Sequence, residues 1–173
     1  MEEAYKKPML CREGQGDRER NLTVLMCMQR GDKGDIPRGA LISTFLKYPV
    51  EFVGYGEMVL RLDELCSLIP GLRREWEPRF LNQESEACCR ERERILQSYG
   101  RKETEKQADF GRYPGKIPRE AVLEIRVERR LYGSMQGLVR GAVTKNRYVG
   151  FRSGLELMRM VSTMNDSFAG GKE

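Results

Sequence analysis

The alternation of apolar and polar positions divides the chain into two passages of similar design. In the first, NLTVLMCMQ (Asn21–Gln29) is apolar and partly β-branched and ends at the Gly/Asp/Pro cluster RGDKGDIPRG, as a buried strand should. ALISTFLKYPVEFVGYGE (Ala40–Glu57) is dominated by β-formers, and Pro49 forbids one continuous central strand, so two strands joined around Lys47 to Pro49 are predicted. MVLRLDELCSLIPG then sets Val59, Leu62, Leu65, Cys66 and Ile69 at helical spacing, with Pro70-Gly71 as the stop.

The second passage opens with EAVLEIRVERR, where Leu123, Ile125 and Val127 share one strand face and Glu124, Arg126, Glu128 and Arg130 the other. LYGSMQG turns the chain into LVRGAVT, and Asn146 with its neighbours turns it into RYVGF, giving three antiparallel strands. An amphipathic helix follows within VGFRSGLELMRMVSTM (Val149–Met164). Ser153 is its cap, and Glu156 is expected to reach back to the Ser153 N–H in a capping box. Leu155, Met158, Met160, Val161 and Met164 supply the predicted apolar face. This helix needs the Leu123, Ile125, Val127 side of the sheet, which puts Arg126, Arg130, Arg140 and Tyr148 together on the opposite face.

The two passages echo each other. Val53-Gly54-Tyr55 matches Val149-Gly150-Phe151, and Val59, Leu62 and Leu65 match Leu155, Met158 and Val161, each 96 positions apart. Between them, LNQESEACCRERERILQSYG (Leu81–Gly100) reads as a helix with a narrow apolar stripe of Leu81, Cys88, Ile95 and Tyr99. Its charged remainder includes Arg94 and a Glu86–Arg90 pair one turn apart. The expected fold is therefore α+β, in two small lobes, each an antiparallel β-hairpin or three-stranded sheet followed by an amphipathic helix, joined by a charged helix. The boundaries are a flexible arm at 1–20, a β-then-α lobe at 21–80, the connecting helix at 81–100, a Pro/Gly-punctuated linker at 101–118, a βββα lobe at 119–165 and a tail at 166–173.

Composition adds limits. The chain has 173 residues, 33% of them charged. The longest apolar run, Val24–Met28, is far below the roughly 18 residues of a membrane span, and no secretory leader precedes it, so a cytoplasmic location is expected. In that setting the Arg30–Asp32 RGD triplet reads as part of a turn. The net charge of +5 is concentrated at the C-terminal end, with 12 Lys/Arg against 6 Asp/Glu from Arg112 onward. Such an excess suits nucleic acid, an acidic protein surface, or a solvated Arg-rich face.

Candidate chemistry is scarce. There is no histidine, which removes Ser-His and Cys-His nucleophile pairs and the usual general base. Phosphate-loop and dinucleotide motifs are missing, and Asp63 and Glu64, adjacent on a helix, point apart. The reading is a non-enzyme without cofactor. Of the five cysteines, only Cys11, Cys66, Cys88 and Cys89 could combine into a zinc site, and no C-x-x-C seeds one. Binding remains, through Arg126, Arg130, Arg140 and Tyr148 on the strand face or Arg90 and Arg94 on the charged helix. Arg with an aromatic suits bases and phosphates, but Glu124 and Glu128 on the same face suit Arg–Glu cross-strand pairing, and the mixture also suits a protein interface.

The stretch EIRVERRLYGSMQGLVRGAVTKNRYVGFRSGLELMRMV resembles the C-terminal module of small, uncharacterised bacterial proteins of phages and integrated mobile elements. Their outline of strand, Q-G, strand and FRS-x-LEL is matched by Gln136-Gly137 and by Phe151, Arg152, Ser153, Leu155, Glu156 and Leu157. FVGYGEMVLRLDELC…EPRFL resembles a companion module, so the likeness covers roughly half of the chain; the LYGSMQG turn departs from the family's usual polar connection. By analogy of size and build, this setting implies an anti-CRISPR protein, which binds a bacterial RNA-guided CRISPR nuclease and masks a DNA-handling or DNA-loading surface. The alternative is a nucleic-acid-binding accessory protein of a mobile element.

Overall fold

The computed structural model describes residues 21–29, 35–74, 76–100 and 119–169, with side chains to 164. The predicted arm, the RGD triplet, Cys11, the 101–118 linker and the final residues 170–173 lie outside the described residues. Six strands form one antiparallel sheet: β1 (Leu22–Met28), β2 (Arg38–Ile42), β3 (Val50–Val53), β4 (Val122–Leu131), β5 (Ser134–Gly141) and β6 (Val149–Phe151), in spatial order β3-β2-β1-β4-β5-β6. Helix α1 (Tyr55–Cys66) follows β3, α2 (Gln83–Tyr99) is the charged helix, and α3 (Gly154–Ala169) follows β6. The chain is α+β, as its pattern predicts. Its two β-then-α halves share one sheet, because β1 pairs along its length with β4, from Leu22 opposite Val127 to Cys27 opposite Val122.

The internal echo takes a different register from the one the residue words suggest. Phe52 and Phe151, both buried, occupy the same place in each half, as do Met58 and Leu157, Leu62 and Val161, and Leu65 and Met164. All are 99 positions apart, not 96. The β1–β4 pairing has the same spacing, since Leu25 lies directly opposite Glu124, its own counterpart, so a pseudo-twofold axis passes between those strands. Three residues are close to one helical turn, so apolar spacing along the helices fits either register; only the third strands decide it.

That register corrects the apolar faces. Helix α3 buries Leu157, Val161 and Met164, while Leu155 is exposed; α1 buries Met58, Leu62 and Leu65. Both helices lie on the face of the sheet that carries Leu22, Val24, Met26, Met28, Leu123, Ile125 and Val127. Each helix start is fixed by a carboxylate four residues after the N–H it accepts. Glu57 Oε2 takes the Val53 N–H at 2.7 Å, and Glu156 Oε2 takes the Arg152 N–H at 2.6 Å. Ser153 Oγ accepts the Glu156 N–H at 3.1 Å as expected, but the reciprocal bond goes to Arg152 and not to Ser153.

Helix α2 starts at Asn82, whose side chain accepts the Ser85 N–H at 2.8 Å. Its buried stripe is Cys89 and Leu96, not Leu81, Cys88 and Ile95, all of which are exposed. The sequence offers two adjacent apolar pairs, Cys88-Cys89 and Ile95-Leu96, seven residues apart, so helical spacing alone fits both choices. Its end is tied down where Lys47 N–H donates to Tyr99 O at 2.8 Å and Leu46 bridges to Gly100.

Candidate functional site

The predicted strand-face residues divide between the two sides of the sheet. On the side away from the helices, Glu124 of β4 faces Arg140 of β5, with their charged atoms 2.5 Å apart. The Arg140 guanidinium lies 4.6 Å from the centre of the Tyr148 ring, and the Tyr148 hydroxyl donates to Glu124 at 2.8 Å. Arg126 lies 3.4 Å from Glu128. This is a cross-strand cluster in which carboxylates already occupy the guanidiniums.

Arg130 is not part of it. A β-bulge between Val127 and Arg129 reverses the alternation, so Arg130 pairs with Met135 in register and turns its side chain to the helix face, where it is 3% exposed. Arg90 and Arg94 stand on the exposed side of α2, paired with Glu86 at 2.6 Å and Glu91 at 2.7 Å. Such exposed pairs one turn apart contribute little to stability.

Two chains of ion pairs run from α1. Asp63 accepts from Arg74 at 2.7 Å and also from Arg130, while Arg74 reaches on to Glu93 of α2 at 2.7 Å. Arg130 Nη1 also meets Ser67 Oγ at 3.2 Å and the Leu72 carbonyl at 3.3 Å. Burial opposes the charge of Arg74, but hydrogen bonds and charge from Asp63 and Glu93 outweigh it and raise its pKa above the ordinary arginine value. On the other side of α1, buried Glu64 holds Arg61 at 2.9 Å and Arg92 of α2 at 3.1 Å. Asp63 and Glu64 do point apart, and each belongs to a separate network joining α1 to α2.

The Asp63 network floors a cleft of about 740 Å³, within the range of about 300–1,000 Å³ usual for ligand-binding clefts. Its walls are α1 at Val59 and Leu60, Arg74 with the run from Trp76 to Arg79, the β4–β5 hairpin tip, and the start of α3 at Ser153 to Leu155. Helices α1 and α3 cross closely there: a Cβ on Gly154 would lie 2.6 Å from Val59 Cγ1. Large side chains stand out around the rim, with Leu60 60%, Trp76 68%, Tyr132 90% and Leu155 53% exposed. Tyr132 and Gly133 form the two-residue hairpin turn at φ 52° and 73°, a turn that favours Asn-Gly over an aromatic residue. An aromatic side chain held there against backbone preference points to use at the surface.

Of these rim residues periodicity marks only Leu155, and it assigns that side chain to the buried helix face and not to the surface. Trp76 is the single tryptophan of the chain, set in the polar, Pro-containing run RREWEPRF; that isolation was the available signal. Tyr132 sits in the LYGSMQG turn, where residue order does not say which way the ring points.

The cysteines differ sharply in environment. Burial pushes the Cys27 thiol up to about 11 and the Cys66 thiol up to about 12, the latter packed 3.8 Å from the Met135 sulfur; Cys88 is exposed beside Arg92. Both shifts are upward, so their contribution to stability is complete below the ordinary thiol pKa. It is lost as pH rises from about 9 toward 11–12, where only the unfolded chain releases these protons. Iodoacetamide at pH 8 should modify Cys88 quickly and leave Cys27 and Cys66 intact until global unfolding, as peptide mass mapping would show. Equal labelling rates at the three would contradict this packing. Among the described residues no group of three or more Cys, Asp or Glu side chains is placed to hold a metal ion, and no helix is long and apolar enough to cross a membrane. Comparison of the chain with protein-family models, with curated proteins and with solved structures gave no match.

Proposed function

We propose that the protein acts by binding, as a stoichiometric inhibitor of a bacterial RNA-guided CRISPR nuclease, and that the cleft beside Trp76 is the surface that meets its partner. The observation that carries the binding surface is the ring of Leu60, Trp76, Tyr132 and Leu155, exposed together around one cleft. Exposed aromatic and aliphatic side chains grouped at a concavity are what anchors of protein interfaces look like. The strand face favoured by the sequence is a weaker candidate, because Glu124 and Glu128 are already engaged with its arginines. The choice of nuclease as partner rests on the resemblance of the Glu124–Val161 stretch to phage and mobile-element proteins, and the inhibitor would work by masking a DNA-handling or DNA-loading surface.

A pull-down of the tagged protein against candidate nuclease effectors, with and without guide RNA, tests this reading. Capture of an effector at one-to-one stoichiometry, with loss of its DNA cleavage, is the expected outcome. If the protein instead retards DNA or RNA with steep salt dependence while the nucleases stay active, the inhibitor reading fails and the accessory-protein alternative takes its place.

A further inference from the structure

The charged groups around the cleft cancel. In the floor, Asp63 and Glu93 neutralise Arg74 and Arg130. At the mouth, Glu77 and Arg79 stand exposed on either side of Pro78, and neither is in an ion pair or hydrogen bond among the described residues. A surface of one sign would repel a copy of itself, whereas this rim carries one group of each sign, two positions apart. The cleft also carries its own knob. Tyr132 stands almost wholly exposed at the tip of the β4–β5 hairpin, yet it lines the cleft together with Leu60, Trp76 and Leu155. A protruding ring and an open concavity thus belong to one patch. A twofold interface requires that arrangement, because the same patch serves both partners and each knob must find its hole on the other copy.

We infer that the occupant of the cleft in the free protein is a second copy of this chain, in a twofold-symmetric homodimer. Tyr132 of each copy enters the cleft of the other and packs against Trp76 and the apolar wall of Val59, Leu60 and Met135. An antiparallel approach of the two rims about Pro78 sets Glu77 of one copy opposite Arg79 of the second copy, and the axis repeats the pair. A strand of phosphates, all of one sign, has no such match, since Glu77 opposes it as much as Arg79 attracts it. The patch is far smaller than the about 20–30 residues a side of a standard stable interface, so association is weak and reversible and the dilute protein is a folded monomer. The inference goes beyond the nuclease reading and does not depend on it: the second copy covers the cleft until a tighter partner displaces it.

Trp76 is the only tryptophan, so its emission reports whether the rim is covered. Sedimentation velocity over a series of protein concentrations is expected to show monomer giving way to dimer in the high micromolar range, with a parallel blue shift of Trp76 emission. Glu77→Arg and Arg79→Glu, both at exposed positions without partners, should each weaken association at least about tenfold by setting like charges opposite each other, while circular dichroism stays unchanged. An equimolar mixture of the two variants should associate again, because a twofold axis places position 77 of one against position 79 of the other. Tyr132→Ala should abolish association in every combination. A monomer at all concentrations, a dimer that leaves Trp76 emission unmoved, or a mixture that stays monomeric would each overturn the inference. A nuclease captured by a chain that never dimerises refutes the homodimer and leaves the inhibitor reading standing; a dimer with these properties and no captured nuclease does the reverse.

Discussion

Replacing Asp63 by alanine is expected to destabilise the protein by about 3 kcal/mol, because it strands the Arg130 guanidinium in the interior. Arg130 is 3% exposed and Asp63 is its only carboxylate among the described residues. The remaining contacts, the Ser67 hydroxyl and the Leu72 carbonyl, are neutral and cannot balance a buried charge. Because Asp63 itself is about a quarter exposed, water relieves part of the loss, which places the estimate at the lower end of the range for broken buried pairs. The paired substitution discriminates charge burial from simple loss of packing. Asp63→Ala with Arg130→Met should recover most of the stability lost in the single variant, since an apolar side chain of similar length needs no counter-charge. Urea denaturation of the two variants measures both. A single-variant loss below about 1 kcal/mol would show that the pair behaves as an exposed one.

A β-carbon at position 137 should be at least as damaging. Gly137 lies opposite Phe151 in the β5–β6 pairing, and an added Cβ would fall 1.9 Å from the Arg126 carbonyl oxygen and 3.0 Å from the Phe151 ring. The first of these atoms is backbone and cannot rotate away, so Gly137→Ala must shift β4 or β5 and is expected to cost about 3 kcal/mol or more. Gly39 repeats the arrangement in the other half: it faces Phe52 across β2–β3, and a Cβ there would lie 2.4 Å from the Cys27 carbonyl and 2.6 Å from the Phe52 ring. In each half a ring covers a glycine on the central strand, an arrangement that fills the gap left by the missing side chain. Parallel losses of stability in Gly39→Ala and Gly137→Ala would therefore support the duplicated design. Loss at only one of them would show that the two halves are not mechanically equivalent.

Much of the framework could be read from residue order because it follows from periodicity. The largely apolar, partly β-branched stretch Leu22–Met28 gave a buried strand, the strict alternation from Leu123 to Val127 gave the core face of β4, and Pro49 separated β2 from β3. Failures fall where spacing is degenerate. Adjacent apolar pairs at Cys88-Cys89 and Ile95-Leu96 allow two stripes one residue apart, and a three-residue offset leaves a helix face nearly unchanged, which hid the true register of the repeat. A bulge is a different case. Nothing in VERRL announces that alternation reverses after Val127, yet that reversal moves Arg130 from the predicted strand-face group into the cleft floor.

The site was less legible for a physical reason. Its parts come from four separate segments, and each part looks ordinary alone: a solvated aspartate at 63, a lone Trp in a polar run, a turn tyrosine, a leucine just past a helix cap. Only tertiary packing brings them around one concavity. The sequence signal that was strong, arginine beside an aromatic on one strand face, led to Arg140 and Tyr148, which are in contact but are held by Glu124.

The most direct test of the account is inhibition by a cleft variant. In a DNA-cleavage assay with the captured nuclease, Trp76→Ala combined with Tyr132→Ala should weaken inhibition by about 100-fold or more, as loss of two interface anchors does, with an unchanged denaturation midpoint. Inhibition equal to the wild type, or its loss on Arg126→Ala and Arg140→Ala instead, would contradict the assignment of the cleft as the docking surface.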